Sequence, residues 1–102
     1  MPEDEFNIER IDDVIHGRLR LGIMAYLSTA GAADFTTLKA KTQSSDGNLS
    51  VQVRKLEEAG YVTVDKAFVG KKPVTTITLT DAGRKAFVAY LDAMRRLIDE
   101  AG

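Results

Sequence analysis

The chain contains no cysteine and no tryptophan, and has one histidine and two prolines among 102 residues. The missing cysteine removes disulfides and thiolate nucleophiles. With a single histidine, the Cys/His zinc frameworks go as well. No apolar run approaches the ~20 residues that a membrane-spanning helix needs. The N-terminus, Met1-Pro2-Glu3-Asp4-Glu5, is acidic where a signal peptide would be basic, and no apolar segment follows it. A soluble, cytoplasmic protein without a membrane partner is expected. No glycine-rich GxxxxGK[ST] phosphate loop occurs, and no two carboxylates are spaced as an evident acid/base pair. Enzymatic activity is therefore not expected, and no cofactor, metal ligand or catalytic residue is assigned.

What is present is 44% hydrophobic and 28% charged, with a net charge of -1, which suits one compact domain over residues 1–102. The charge is unevenly placed. Residues 1–13 hold six acids against Arg10, a net -5, and residues 1–7 read as an acidic tail. Residues 39–72 hold seven basic groups against four acids, a net +3. A basic working face offset by acidity elsewhere has this signature.

Apolar residues three or four apart, from Ile8 and Ile11 through Ile15, Leu19 and Ile23 to Leu27, predict a helical face. Asp12-Asp13 and Gly17 are the places where it would divide into two helices. His16 falls inside this stretch without a second ligand or nucleophile, and a structural or solvated role is expected of it. "STAGAAD" reads as a loop. Asp34 can cap a short helix that carries Phe35 and Leu38 and ends near Lys41. After the turn formers of "TQSSDGN", with Asp46 as the expected cap, Leu49, Val53 and Leu56 mark one face of a third helix that stops at Gly60. "YVTVDKAFV" and "VTTITL" flank Gly70-Lys71-Lys72-Pro73 and predict a β-hairpin with a basic tip. A last helix over 80–101 starts at Thr80-Asp81 and carries a broad apolar stripe from Ala86 to Ala101. Its length, roughly 30 Å, is as great as a small domain is wide, so part of the stripe needs a partner.

The predicted fold class is mainly α with a β-hairpin wing: a winged helix-turn-helix with a long C-terminal dimerisation helix. On a wheel of 100° per residue the third helix turns Gly47, Val51, Arg54, Lys55 and Glu58 away from its apolar face, with Asn48 and Ser50 on the flanks. Such a surface suits a major groove. Asparagine can pair with adenine, arginine with guanine, and an aliphatic group can meet a thymine methyl. Ser44, Ser45 and the free N–H groups at the helix start suit phosphates. Charged helix faces are more often simply solvated. The coincidence of this face with the basic hairpin tip is what favours DNA.

The segment "DGNLSVQVRKLEEAGYVTVDKAFVGKKPVTTITLTDAGRKAF", residues 46–87, resembles the recognition helix, wing and start of the final helix of small bacterial and archaeal winged-helix transcriptional regulators, relatives of the MarR and ArsR types. "VIHGRLRLGIMAYL" and "ADFTTLKA" fit the first two helices of the same family, so the resemblance spans nearly the whole chain. It implies a homodimer joined through its terminal helices and bound to double-stranded DNA, with Asn48, Ser50, Val51, Arg54 and Lys55 of the helix and Lys71 and Lys72 of the wing at the contact. Thr42 and Ser44 depart from the pattern by standing where apolar residues are frequent, and Gln52 by standing where histidine is. A competing reading keeps the fold and makes it a protein interaction module whose wing is merely solvated. The sequence points to no particular operator or small-molecule effector.

Overall fold

The computed structural model describes residues 7–101, so the expected acidic tail lies outside the described residues apart from Asn7. Four helices and three strands follow in the order α1 (Arg18–Ala30), β1 (Ala32–Asp34), α2 (Phe35–Thr42), α3 (Asp46–Glu58), β2 (Val62–Val69), β3 (Lys72–Leu79) and α4 (Asp81–Ala101). The expected winged helix-turn-helix is present.

The stretch before α1 is not helical as its spacing predicts. Ile8–Arg10 form a single 3-10 turn capped by Asn7. The Asp12 carboxylate then accepts hydrogen bonds from the backbone N–H groups of Val14 (2.8 Å) and Ile15 (3.2 Å). A short acidic side chain that binds its own backbone competes with the helix ladder, and here it wins. Ile11 and Ile15 still reach the core, carried by turns.

α1 ends at Gly31, whose φ of 80° is left-handed. β1 follows where a loop is expected, because its three residues pair antiparallel with Thr76–Thr78 along the otherwise free edge of β3. The sheet order is β1-β3-β2. Asp34 caps α2 as predicted, accepting from the N–H of Thr37 at 2.7 Å. The cap of α3 is Ser45 rather than Asp46. Its hydroxyl oxygen accepts from the N–H of Asn48 at 3.1 Å, while Asp46 enters the first turn and pairs with Lys39 at 2.8 Å. Gly60 closes α3 at φ 82°, with the N–H groups of Tyr61 and Gly60 donating to the carbonyls of Leu56 and Glu57, the paired bonds of a Schellman motif.

The core lies where the helical stripes meet. Ile23, Met24 and Leu27 of α1, Leu38 of α2 and Leu49, Val53 and Leu56 of α3 pack with Val62, Ile77 and the Phe87, Tyr90 and Ala93 face of α4. Gly83 allows α4 to approach closely: a Cβ there would sit 2.1 Å from the carbonyl oxygen of Tyr61. His16 is exposed and its Nδ1 lies 2.8 Å from the Tyr90 hydroxyl, a structural tie of the kind expected.

Two elements run out from this core. β2 and β3 pair through Val69 and Lys72, so β1 covers only the inner part of the hairpin and the outer part is two-stranded. The tip is tighter than the four residues expected. Only Gly70 and Lys71 form the turn, with φ 66° at Gly70, and Lys72 and Pro73 already belong to β3. Pro73 faces Phe68 in the non-hydrogen-bonded pair next to the turn, beyond the reach of β1, and so removes no ladder bond. On α4, Phe87, Tyr90 and Ala93 are buried, while Val88, Leu91 and Ile98 are 62%, 50% and 66% exposed. These three are spaced three and seven apart, forming a second apolar stripe beside the first. No helix among the described residues is long and apolar enough to cross a membrane.

Candidate nucleic-acid interface

Burial of Leu49, Val53 and Leu56 fixes the rotation of α3, so every other residue of the helix has a determined direction. Val51 lies at the centre of the outward face and is 46% exposed. Glu58 shares that line at the C-terminal end, where the outward face turns acidic. Asn48, Ser50, Arg54 and Lys55 are all exposed.

α3 separates two clefts. On the wing side Ser50, Arg54 and Glu57 face Lys66 and Thr75 across a floor that includes Val64 and Ile77. On the α1 side Asn48 and Gln52 share a second cleft with Arg18, Arg20, Lys41 and Ser44. Each cleft has cationic walls, and a duplex that takes α3 into its major groove has a phosphate strand on either side. The helical periodicity orders the residues along α3 but does not reveal these walls.

The serines at the turn differ in what they offer. Thr42 Oγ1 donates to the carbonyl of Leu38 at 2.6 Å and stands 2.9 Å from Ser44 Oγ, so the Ser44 proton goes to Thr42. These two polar departures from the family pattern satisfy each other, with Leu38 fully buried beside them. Ser45 uses a lone pair as the helix cap and keeps its proton for an acceptor, which makes it the better phosphate donor of the two.

Lys71 lies in the wing turn and Lys72 next to it, both exposed. Strand alternation divides the wing into two faces. Lys66, Phe68, Pro73 and Thr75 share the face of Val64 and Ile77, toward α3, whereas Val69 and Lys72 are on the other. Lys72 contributes a small downward pull on the Asp34 carboxyl, whose pKa is lowered mainly by the hydrogen bonds from Thr37. Lys66 and Phe68 are absent from the residues predicted to touch DNA. The alternation in "TVDKAFV" contains the signal, because it places Lys66 and Phe68 in phase with Val64. Phe68 is 74% and Val69 68% exposed, an apolar tip beside two lysines.

Arg20 is likewise absent from the predicted residues. Its Nε donates to the carbonyl of Val14, and a guanidinium N–H donates to Gln52 Oε1. Gln52 Nε2 in turn donates to Asn48 Oδ1 at 3.1 Å. Nothing in the spacing foretells a contact across 32 residues. The turn that supplies the Val14 carbonyl is tied at Asp12, which accepts a hydrogen bond from the Tyr61 hydroxyl. That bond, with burial adding to it, pushes the Tyr61 pKa up to about 12. Among the described residues no group of three or more His, Cys, Asp or Glu side chains converges as a metal site would.

Residues 19–98 match the model of the winged helix DNA-binding domain family. An uncharacterized protein of Methanocaldococcus jannaschii is 35% identical over 78 residues, which cover 76% of this chain and 85% of that one. Among solved structures, a transcriptional regulator homologue from Pyrococcus horikoshii superposes with a TM-score of 0.84 at 27% identity, covering 99% of this chain and 98% of that one. A MarR family regulator from Neisseria meningitidis shares the fold at a TM-score of 0.59 and 13% identity, over 98% of this chain and 63% of its own. The chain thus belongs to the winged helix DNA-binding domain family.

Proposed function

We propose that the protein is a homodimeric, sequence-specific transcriptional regulator of the cytoplasm that places the outward face of α3, from Asn48 to Lys55, in the major groove and the wing on the backbone or minor groove. The observation that carries this reading is the placement of one outward helix face between two cation-walled clefts, with Arg54 and Lys66 on one side and Arg18, Arg20 and Lys41 on the other. Ser45, Asn48, Ser50, Val51, Arg54 and Lys55 then meet the groove and its near phosphates. Lys71 and Lys72 neutralise phosphates beside the site, and Lys66 adds a charge on the helix-facing side of the wing. The slight net acidity does not oppose this, because charges beyond roughly 8 to 10 Å are screened at physiological salt. Similarity to a transcriptional regulator homologue supports the regulatory role.

Dimerisation is supported by the second apolar stripe of α4. Val88, Leu91 and Ile98 are turned away from the chain's own core. A copy related by a two-fold axis can cover them with the same stripe, since such an interface is self-complementary. Two α3 helices would then reach successive major grooves about 34 Å apart.

Sedimentation of the protein at micromolar concentration, followed by duplex titration at several salt concentrations, tests both parts. A dimer whose duplex affinity falls steeply with salt is expected. A folded protein with no salt-dependent duplex binding would support the interaction module instead.

A further inference from the structure

Arg20, Gln52 and Asn48 form a chain of hydrogen bonds in which each link fixes the polarity of the next. Guanidinium groups have donors only, so the side of Gln52 that meets Arg20 is its carbonyl oxygen. The amide nitrogen of Gln52 is thereby turned toward Asn48, and Asn48 meets it with Oδ1 at 3.1 Å. Reversing either amide would set N–H against N–H. Asn48 is exposed at the start of α3, so with its oxygen turned inward it presents Nδ2 and its two protons outward. Resting on the DNA-binding reading above, we infer that Arg20 is a specificity-positioning residue that acts through Gln52 to make Asn48 a reader of hydrogen-bond acceptors, which selects guanine at the base it meets.

This differs from the adenine pairing that asparagine alone suggests. Adenine presents N7 as an acceptor beside the N6 amino donor, and bidentate pairing needs the amide oxygen and nitrogen on the same outward edge. Guanine presents N7 and O6, both acceptors, and two outward N–H groups match them. The relay is also anchored at its far end. Arg20 Nε donates to the carbonyl of Val14, and Gly17 leaves room for the guanidinium: a Cβ at Gly17 would lie 2.7 Å from its terminal nitrogen. The backbone at Gly17, φ -158°, is one any residue adopts, so alanine there displaces Arg20 without straining the chain.

The relay can be reversed by one isosteric change. Glutamate at 52 has acceptors only, keeps Arg20 as a partner and obliges Asn48 to turn Nδ2 inward and Oδ1 outward. Duplexes are selected from a random pool by the wild type, Asn48→Ala, Gln52→Glu, Arg20→Lys and Gly17→Ala, and the bound sequences compared. Asn48→Ala identifies the base position that depends on Asn48. At that position the wild type is expected to favour guanine over adenine by about tenfold or more. Gln52→Glu is expected to bind more weakly overall and to exchange guanine for a base with an amino donor, cytosine or adenine, there alone. Arg20→Lys, still donor-only, retains guanine, and Gly17→Ala relaxes the preference. The inference is overturned if the Gln52→Glu motif keeps the wild-type base, if the wild type prefers adenine, or if Asn48→Ala alters no position. A wild type that enriches no sequence overturns the DNA-binding reading and this inference with it, an outcome distinct from an enriched motif that ignores position 52.

Discussion

The two flanks of α3 are built differently. On the α1 flank Asn48 is bonded to Gln52, Gln52 to Arg20, and Arg20 to the turn that Tyr61 and Asp12 hold in place. On the wing flank Ser50 and Arg54 are exposed and open onto a cleft whose far wall is Lys66 and Thr75. The first flank is already tied by hydrogen bonds, so on the proposed reading contact with DNA there would cost little side-chain freedom and would discriminate by fixed polarity. The second retains the rotamers of a long side chain, which must be ordered on binding but can settle on a guanine edge or a phosphate as the duplex allows. On the proposed reading one helix would carry a rigid reader and an adaptable one.

Breaking the adaptable flank is expected to have the largest effect. Arg54→Ala should cost about 1–3 kcal/mol per half-site and relax the preference at the base pair it meets, read as affinities for a panel of single-base operator variants. Unchanged preference would mean that α3 is rotated differently on the DNA. A smaller and uniform loss is expected from Lys71→Ala. If Lys71 meets phosphates and not bases, as proposed, binding to all sequences should weaken together, and the slope of log affinity against log salt should shrink by about 1 for each phosphate left without its lysine.

The smallest effect is expected on the rigid side, at Tyr61. The folded pKa of Tyr61, about 12, stands above its unfolded value near 10. Between these values the folded state holds the proton that the unfolded state has released, so stability is fully present below pH 10 and falls as pH rises toward 12. Tyr61→Phe should lower stability at neutral pH modestly and flatten that decline, as measured by denaturant unfolding across the pH range. An unaltered slope would remove Tyr61 as the anchor of the turn beneath Arg20.

The contrast also explains what the sequence made legible. α2, α3 and α4 were readable because each buries one side and its apolar residues return every three or four positions, and the wing because β-branched runs flank Gly70. The N-terminal stretch misled for the same reason. Ile8, Ile11 and Ile15 have helical spacing, but Asp12 binds its own backbone and turns the chain. β1 had no signal of its own, since Ala32-Ala33-Asp34 becomes a strand only against β3. At the candidate interface the exposed residues of α3 and the tip lysines followed from local pattern alone. Lys66 and Phe68 required the register of the hairpin. Arg20 required the tertiary structure, because its bond to Gln52 joins elements that no local rule brings together. The adaptable flank was thus largely legible, and the rigid one was not.

Selection of bound duplexes from a random pool at moderate salt, followed by sequencing, would show whether a symmetric pair of α3 helices reads DNA sequence. Enrichment of an inverted repeat with half-sites about one helical turn, ~34 Å, apart is expected. A folded protein that enriches no sequence would contradict it.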